Sequence, residues 1–148
     1  MRRVVLALIG LVIIPAILAG CGGSSTSNNY TGHWVGTWNE VNSGSASGNM
    51  DIVIDAGNNV TGSFASTNAP WMSTAGIQPV STINAGTNLA SWTVLVTSSD
   101  GTSRQLGSAS GFVGINQGVL QPIQAPFMTL TFNNQTRYFT FSLTMTSP

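Results

Sequence analysis

Apolar and polar residues alternate at period two along most of the chain after residue 30, and no window there carries the three-and-four spacing of an amphipathic helix. Three hairpins can be registered from this alternation. In the first, Asn49–Asp55 and Asn59–Ser66 flank Ala56-Gly57-Asn58, residues suited to a bulged three-residue loop. Ile54 then faces Val60, Ile52 faces Gly62 and Met50 faces Phe64, with Asp51, Asp55, Thr61 and Ser63 on the opposite side. In the second, Leu89–Ser99 and Thr102–Ile115 meet at Asp100-Gly101, a two-residue turn signal that sets Trp92 opposite Ala109, Val94 opposite Gly107 and Val96 opposite Gln105. Large residues facing small ones are what a tapering closed barrel needs. The same register sends Leu95, Leu106 and Phe112 to the outer face, which calls for a bulge near Gly111 or a covered exterior. In the third, Phe127–Asn133 pairs with Tyr138–Thr146, placing Phe132 against Phe139, Leu130 against Phe141 and Met128 against Leu143. Strands over His33–Val41 and Ile77–Ile83 bring the number to eight.

The predicted fold is therefore all-β: an eight-stranded antiparallel up-and-down barrel, with a β-sandwich as the alternative, preceded by a signal helix and a flexible tether. Eight strands enclose an interior just wide enough for side chains or one small ligand. Closure also removes exposed strand edges, which this chain has no lysine to protect.

The first residues follow a different pattern. Met1-Arg2-Arg3 is followed by an apolar run from Val4 to Leu18 and then by Ala19-Gly20-Cys21, the layout of a basic n-region, an h-region and a small-residue cleavage site. The run is 15 residues long and contains Pro15. A membrane-spanning helix needs about 20 apolar residues, so residues 1–20 are expected to be a cleaved signal. Leu18-Ala19-Gly20-Cys21 resembles the lipobox of bacterial lipoproteins. That resemblance implies diacylglycerol on the Cys21 sulfur, cleavage before Cys21 and an acylated amine. Cys21 is the only cysteine in the chain, so no disulfide forms within it, and lipidation accounts for an unpaired cysteine in an exported protein. A single acyl chain binds a membrane only marginally, whereas two or more hold it stably. Gly22 is not the aspartate that retains lipoproteins of this kind in the inner membrane, so a lipid-anchored cell-envelope location is expected, the outer membrane if the source is Gram-negative.

Residues 21–29, Cys-Gly-Gly-Ser-Ser-Thr-Ser-Asn-Asn, read as the lipidated tether, and the barrel domain as residues 30–148. A Gly/Ser-rich tether of this length reaches on the order of 15–18 Å. After the signal, the charges are Glu40, Asp51, Asp55 and Asp100 against Arg104 and Arg137. No basic patch for nucleic acid exists, and the surface must be built from Ser, Thr, Asn and Gly.

The first strand, Tyr30-Thr31-Gly32-His33-Trp34-Val35-Gly36-Thr37-Trp38, contains Gly-x-Trp twice and resembles the opening strand of calycins, the lipocalin and avidin group of small barrels. Val60-Thr61-Gly62-Ser63-Phe64 and Ser91-Trp92-Thr93-Val94 follow in the order seen in avidins. The resemblance implies a barrel with a pocket at one end, but it does not carry biotin binding across. Glu40 stands where the avidin Asn would be, Gly44 where the Ser would be, and Phe64 replaces a Tyr donor. Asn39 and Ser43 are one residue off and point to the other face. Trp92 matches an aromatic that lines the avidin pocket.

Catalytic and metal chemistry finds little support. His33 is the only histidine and lies on the face opposite Trp34 and Trp38, so it reads as a surface residue, and no metal or cofactor is expected. No Gly-x-Ser-x-Gly elbow is present, and Ser108-Ala109-Ser110-Gly111 reads as strand. Asp51 and Asp55 stand ~13 Å apart by strand rise, on a polar face. Asp55–Asn59 lacks the ligand count of a dedicated calcium loop. Trp71, in the loop-like stretch Asn68-Ala69-Pro70-Trp71-Met72, is either a plug on the barrel mouth or a recognition residue.

The expected protein is thus a noncatalytic, lipid-anchored envelope lipoprotein of undetermined oligomeric state. Its candidate partners are the membrane, through Cys21, and a small apolar or amphipathic ligand in the barrel, contacted by Trp38, Trp71 and Trp92. The alternative is a structural or surface-interaction lipoprotein with a filled barrel. A lumen occupied by Trp34, Trp38, Phe64 and Trp92 favours the alternative.

Overall fold

The computed structural model describes residues 28–41 and 46–148. The signal segment, Cys21, the tether up to residue 27 and the Ser43 and Gly44 positions lie outside the described residues.

Eight antiparallel strands form a closed barrel in which each strand pairs with its sequence neighbours and the last returns to the first. They are β1 (Gly32–Val41), β2 (Ser47–Ile54), β3 (Asn59–Ser66), β4 (Thr74–Asn84), β5 (Leu89–Thr97), β6 (Arg104–Asn116), β7 (Val119–Phe132) and β8 (Gln135–Ser147). The predicted barrel therefore holds over the sandwich alternative. Alternation selects the inward set: Trp34 and Trp38 from β1, Met50, Ile52 and Ile54 from β2, Phe64 from β3, Trp92 and Val94 from β5, and Phe139, Phe141 and Leu143 from β8 are all buried. Trp34, Trp38, Phe64 and Trp92 are each 1% exposed, so side chains fill the lumen. Phe64 stacks on Phe139 and Trp92 on Phe141, so aromatic pairs bridge strands that are not neighbours in the sheet.

The first two hairpins have the register that alternation and turn residues predict. Ile54 pairs with Val60, Ile52 with Gly62 and Met50 with Phe64. Trp92 pairs with Ala109, Val94 with Gly107 and Val96 with Gln105. The second turn is wider than the two-residue connection predicted. β5 stops at Thr97 and β6 starts at Arg104, and the Ser98 amide donates to the Ser103 carbonyl without extending the sheet. Leu95 and Leu106 do pair on the outer face, where Leu106 is 68% exposed. The β6–β7 ladder shifts between Ser110 and Val113, but β6 keeps its inward parity through Ala109 and Val113.

The third hairpin differs from its prediction by four residues. Met128 pairs with Phe139, Leu130 with Arg137 and Phe132 with Gln135. The reason is the turn. Asn133 and Asn134 both take positive φ, 47° and 57°, the conformation of a two-residue primed turn, which closes the hairpin tightly and lets β8 begin at Gln135. A shift by an even number of residues leaves every side chain on its original face, so alternation alone could not exclude it.

β4 is longer than the predicted Ile77–Ile83 because it is interrupted. The register shifts between Ile77 and Thr82, and Pro79 and Val80 bulge outward. Ser81 is fully buried there, its Oγ accepting from the Thr93 amide at 2.9 Å and lying 3.2 Å from the Thr93 carbonyl. The hydroxyl thus satisfies the backbone groups that the bulge leaves without ladder partners.

Candidate functional site

The two rims of the barrel are built differently. The chain enters at one rim and ends at the same rim, where His33 pairs with Ser147. The β2–β3, β4–β5 and β6–β7 turns also lie there, by the up-and-down order. Tyr30 closes this rim. It is fully buried, its hydroxyl lies 2.7 Å from Asn88 Oδ1 and 3.0 Å from the Val113 carbonyl, and its own carbonyl accepts from Trp34 Nε1 at 2.8 Å. Burial pushes the Tyr30 hydroxyl pKa upward.

The opposite rim is only partly covered. The connection between β3 and β4 folds over it, burying Ala69 and Met72 and setting Trp71 half-buried at the mouth. Trp71 meets Trp38 edge-on at 6.2 Å between ring centroids and lies 5.4 Å from Phe132. Its Nε1 donates to Glu40 Oε2 at 3.3 Å, and the Arg137 guanidinium stands 4.5 Å from its ring centroid. Glu40 and Arg137 both occupy inward-facing positions: Glu40 opposite Phe139, Arg137 opposite Leu130. Arg137 Nη1 donates to Glu40 Oε1 at 2.7 Å, and the Glu40 side chain keeps only 2% of its exposure. Arg137 Nη2 also donates to Gln135 Oε1 at 3.3 Å.

Beside this plug the rim over β5–β8 stays open as a recess of about 170 Å³. Trp71, Val96 and Phe132 are the apolar residues of its lining. Gln105, Asn133 and Gln135 line the rest, together with Ser98 and Ser103 from the β5–β6 connection. Gln105 and Gln135 point inward, because each lies directly opposite a buried residue, Val96 and Phe132.

The three tryptophans nominated from sequence do not form one wall. Trp71 lines the recess. Trp38 lies beneath it, 1% exposed, with Nε1 donating to the Ala65 carbonyl at 3.1 Å. Trp92 lies in the packed core against Phe141 and is not part of the recess. Glu40 faces inward, and Asn39 is exposed. The inward parity shared by Glu40, Trp34 and Trp38, and by Arg137, Phe139 and Phe141, was the available signal for a charge pair inside the barrel. Recognising the pair required the β1–β8 register, which no connecting turn fixes.

The groups considered for chemistry elsewhere are engaged structurally. His33 lies on the outer face, Nε2 2.7 Å from Asp51 Oδ1 and Nδ1 3.0 Å from Thr146 Oγ1. Asp55 Oδ1 accepts from the amides of Gly57 and Asn59 at 2.8 and 2.9 Å, fixing the β2–β3 turn. Hydrogen bonds from Asn59, first its side chain and then its amide, lower the Asp55 pKa. Among the described residues no three His, Cys, Asp or Glu side chains gather as a metal site.

Protein-family models, curated proteins and solved structures give no match to the chain.

Proposed function

We propose that this is a noncatalytic lipoprotein of the cell envelope, held by acyl chains on Cys21, whose calycin-like barrel is filled by its own side chains and acts through its outer face and the rim away from the tether. The observation that carries the reading is the packed lumen: Trp34, Trp38, Phe64 and Trp92 each retain 1% exposure. Pockets for ligands of drug size run to about 300–1,000 Å³. The recess at the mouth is smaller than that range and lies above the core rather than within it. Of the two readings drawn from sequence, a ligand inside the barrel or a filled barrel, these features favour the second. The lipobox Leu18-Ala19-Gly20-Cys21 supports the anchor.

Two measurements test the proposal. Native mass spectrometry of the protein purified from its host, together with titration of an apolar fluorescent probe, is expected to find neither a co-purifying apolar ligand nor stoichiometric probe binding. Stoichiometric occupancy of the lumen would overturn the filled-barrel reading. Metabolic labelling with a clickable fatty acid is expected to mark the wild type and not Cys21→Ala; a labelled Cys21→Ala protein would overturn the anchor.

A further inference from the structure

The recess at the mouth has a composition that the core does not explain. At inward-facing positions one layer below, the barrel is filled with apolar residues. At the mouth the same inward parity carries Gln105 on β6 and Gln135 on β8, and Asn133 joins them from the β7–β8 turn. Each amide offers a carbonyl acceptor and an NH₂ donor on one short side chain. The rings of Trp71 and Phe132 line the same recess, with Phe132 paired directly to Gln135. No charged residue lines the cavity. Of the ionic groups around it, Asp100 accepts from the Ser98 hydroxyl, and Arg137 and Glu40 are directed at one another.

Aromatic surface and side-chain amides lining one small recess match one ligand chemistry closely. A pyranose ring has a face of C–H groups that packs on an aromatic surface, and a rim of vicinal hydroxyls that each donate and accept. A purely apolar ligand would displace water from the Gln105 and Asn133 amides and the Gln135 NH₂ group without replacing its hydrogen bonds, while Gln135 Oε1 already accepts from Arg137. A carboxylate or ammonium ligand would find no opposite charge in the lining. The volume, about 170 Å³, limits the occupant to roughly one ring.

We propose that this recess binds a neutral sugar residue, either a free monosaccharide or the terminal unit of a glycan, at the rim facing away from the tether. The site goes beyond the filled-barrel reading and does not depend on it, because it lies above the packed lumen.

The test uses the full-length protein extracted from its envelope in a detergent without a sugar headgroup. Glucose, galactose, mannose and N-acetylglucosamine, each as the monosaccharide and as a short oligomer, are titrated while saturation-transfer NMR and tryptophan fluorescence are followed. Saturable binding of at least one of them is expected. Equal affinity for monomer and oligomer would identify a free sugar, and tighter binding of the oligomer would identify a chain end. The Gln105→Ala/Gln135→Ala double variant is expected to bind about tenfold more weakly, as for loss of one to two net hydrogen bonds, with an unchanged unfolding midpoint. Trp71→Ala is expected to abolish the fluorescence response. No saturable binding across the panel would overturn the proposal. So would binding that survives the double glutamine variant but is lost in Trp92→Phe, since that would place the sugar in the lumen.

Discussion

Arg137 Nη1 donates to Glu40 Oε1 across 2.7 Å although the two residues are 97 positions apart, because β1 and β8 meet at the seam that closes the barrel. The ion pair spans that seam from the inside and also fixes the plug, since Glu40 accepts from Trp71 and Arg137 stands over its ring. A charge pair in a barrel interior carries a desolvation cost that its mutual attraction only offsets when both partners are present.

Removing one partner should therefore harm the protein more than removing both. Glu40→Leu is expected to lower stability by about 3 kcal/mol, toward the lower end for buried pairs, because Arg137 retains 24% of its side-chain exposure. The Glu40→Leu/Arg137→Leu double variant should recover most of that loss. Urea unfolding of the two single variants and the double variant gives the coupling energy directly. Strict additivity would mean that the pair contributes nothing.

Ser81 offers a second test, one that isolates a single hydroxyl. Ser81→Ala leaves the Thr93 amide and carbonyl without the partner that spans the β4 bulge. The expected cost is about 1–3 kcal/mol. Hydrogen exchange should accelerate at the Thr93 amide first, while the amides of β1 and β2 keep their protection.

Gly48 marks the closest backbone approach in the barrel that a side chain would block. A Cβ there would fall 1.7 Å from the Ala65 carbonyl oxygen and 2.9 Å from Trp38 Nε1, the two groups that hydrogen-bond to each other. Gly48→Ala must push β2 from β3 and break the indole bond. The expected loss is about 3 kcal/mol or more, or failure to fold, read by thermal melting and by near-ultraviolet circular dichroism of the tryptophans. A fully stable Gly48→Ala protein would show that β2 can move outward freely.

The wide β5–β6 turn should respond to acid. The Ser98 hydroxyl, and then the Thr102 amide, lower the Asp100 pKa from 3.8 to about 2. A depressed carboxylate pKa means that the ionised form stabilises the fold. That contribution is present above pH 3.8 and is lost as the pH falls toward 2. In melting curves recorded from neutral pH downward, the gap between wild type and Asp100→Asn should narrow only below about pH 4. The Asp55 carboxyl, lowered by Asn59, should behave with the same sign.

Most of the fold was legible because the barrel interior is apolar and its exterior polar, so period-two alternation assigned each strand's inner face. Register was a different matter. It emerged where a turn fixed it, around Gly57-Asn58 and around Asp100-Gly101, and it slipped by four at Asn133-Asn134, where the parity of Phe132, Phe139 and Phe141 is equally satisfied by both pairings. The β4 bulge was missed because Pro79 and Val80 leave the alternation while Ser81, a polar residue, is the one that turns inward. At the mouth, Gln105 was already placed opposite Val96. Its role there depends on where the Trp71 connection folds, and no local pattern specifies that.

The shared rim of the two chain ends has a practical corollary. Residue 29 and Pro148 leave the barrel side by side, next to the pairing of His33 with Ser147. A circular permutant that joins these ends through a short linker and opens the chain between Asn133 and Asn134 would keep all eight strand pairings, yet would move the attachment point to the other rim. Under the anchor proposed at Cys21, the same barrel would then be held by the rim that carries the Trp71 mouth instead of the rim closed by Tyr30.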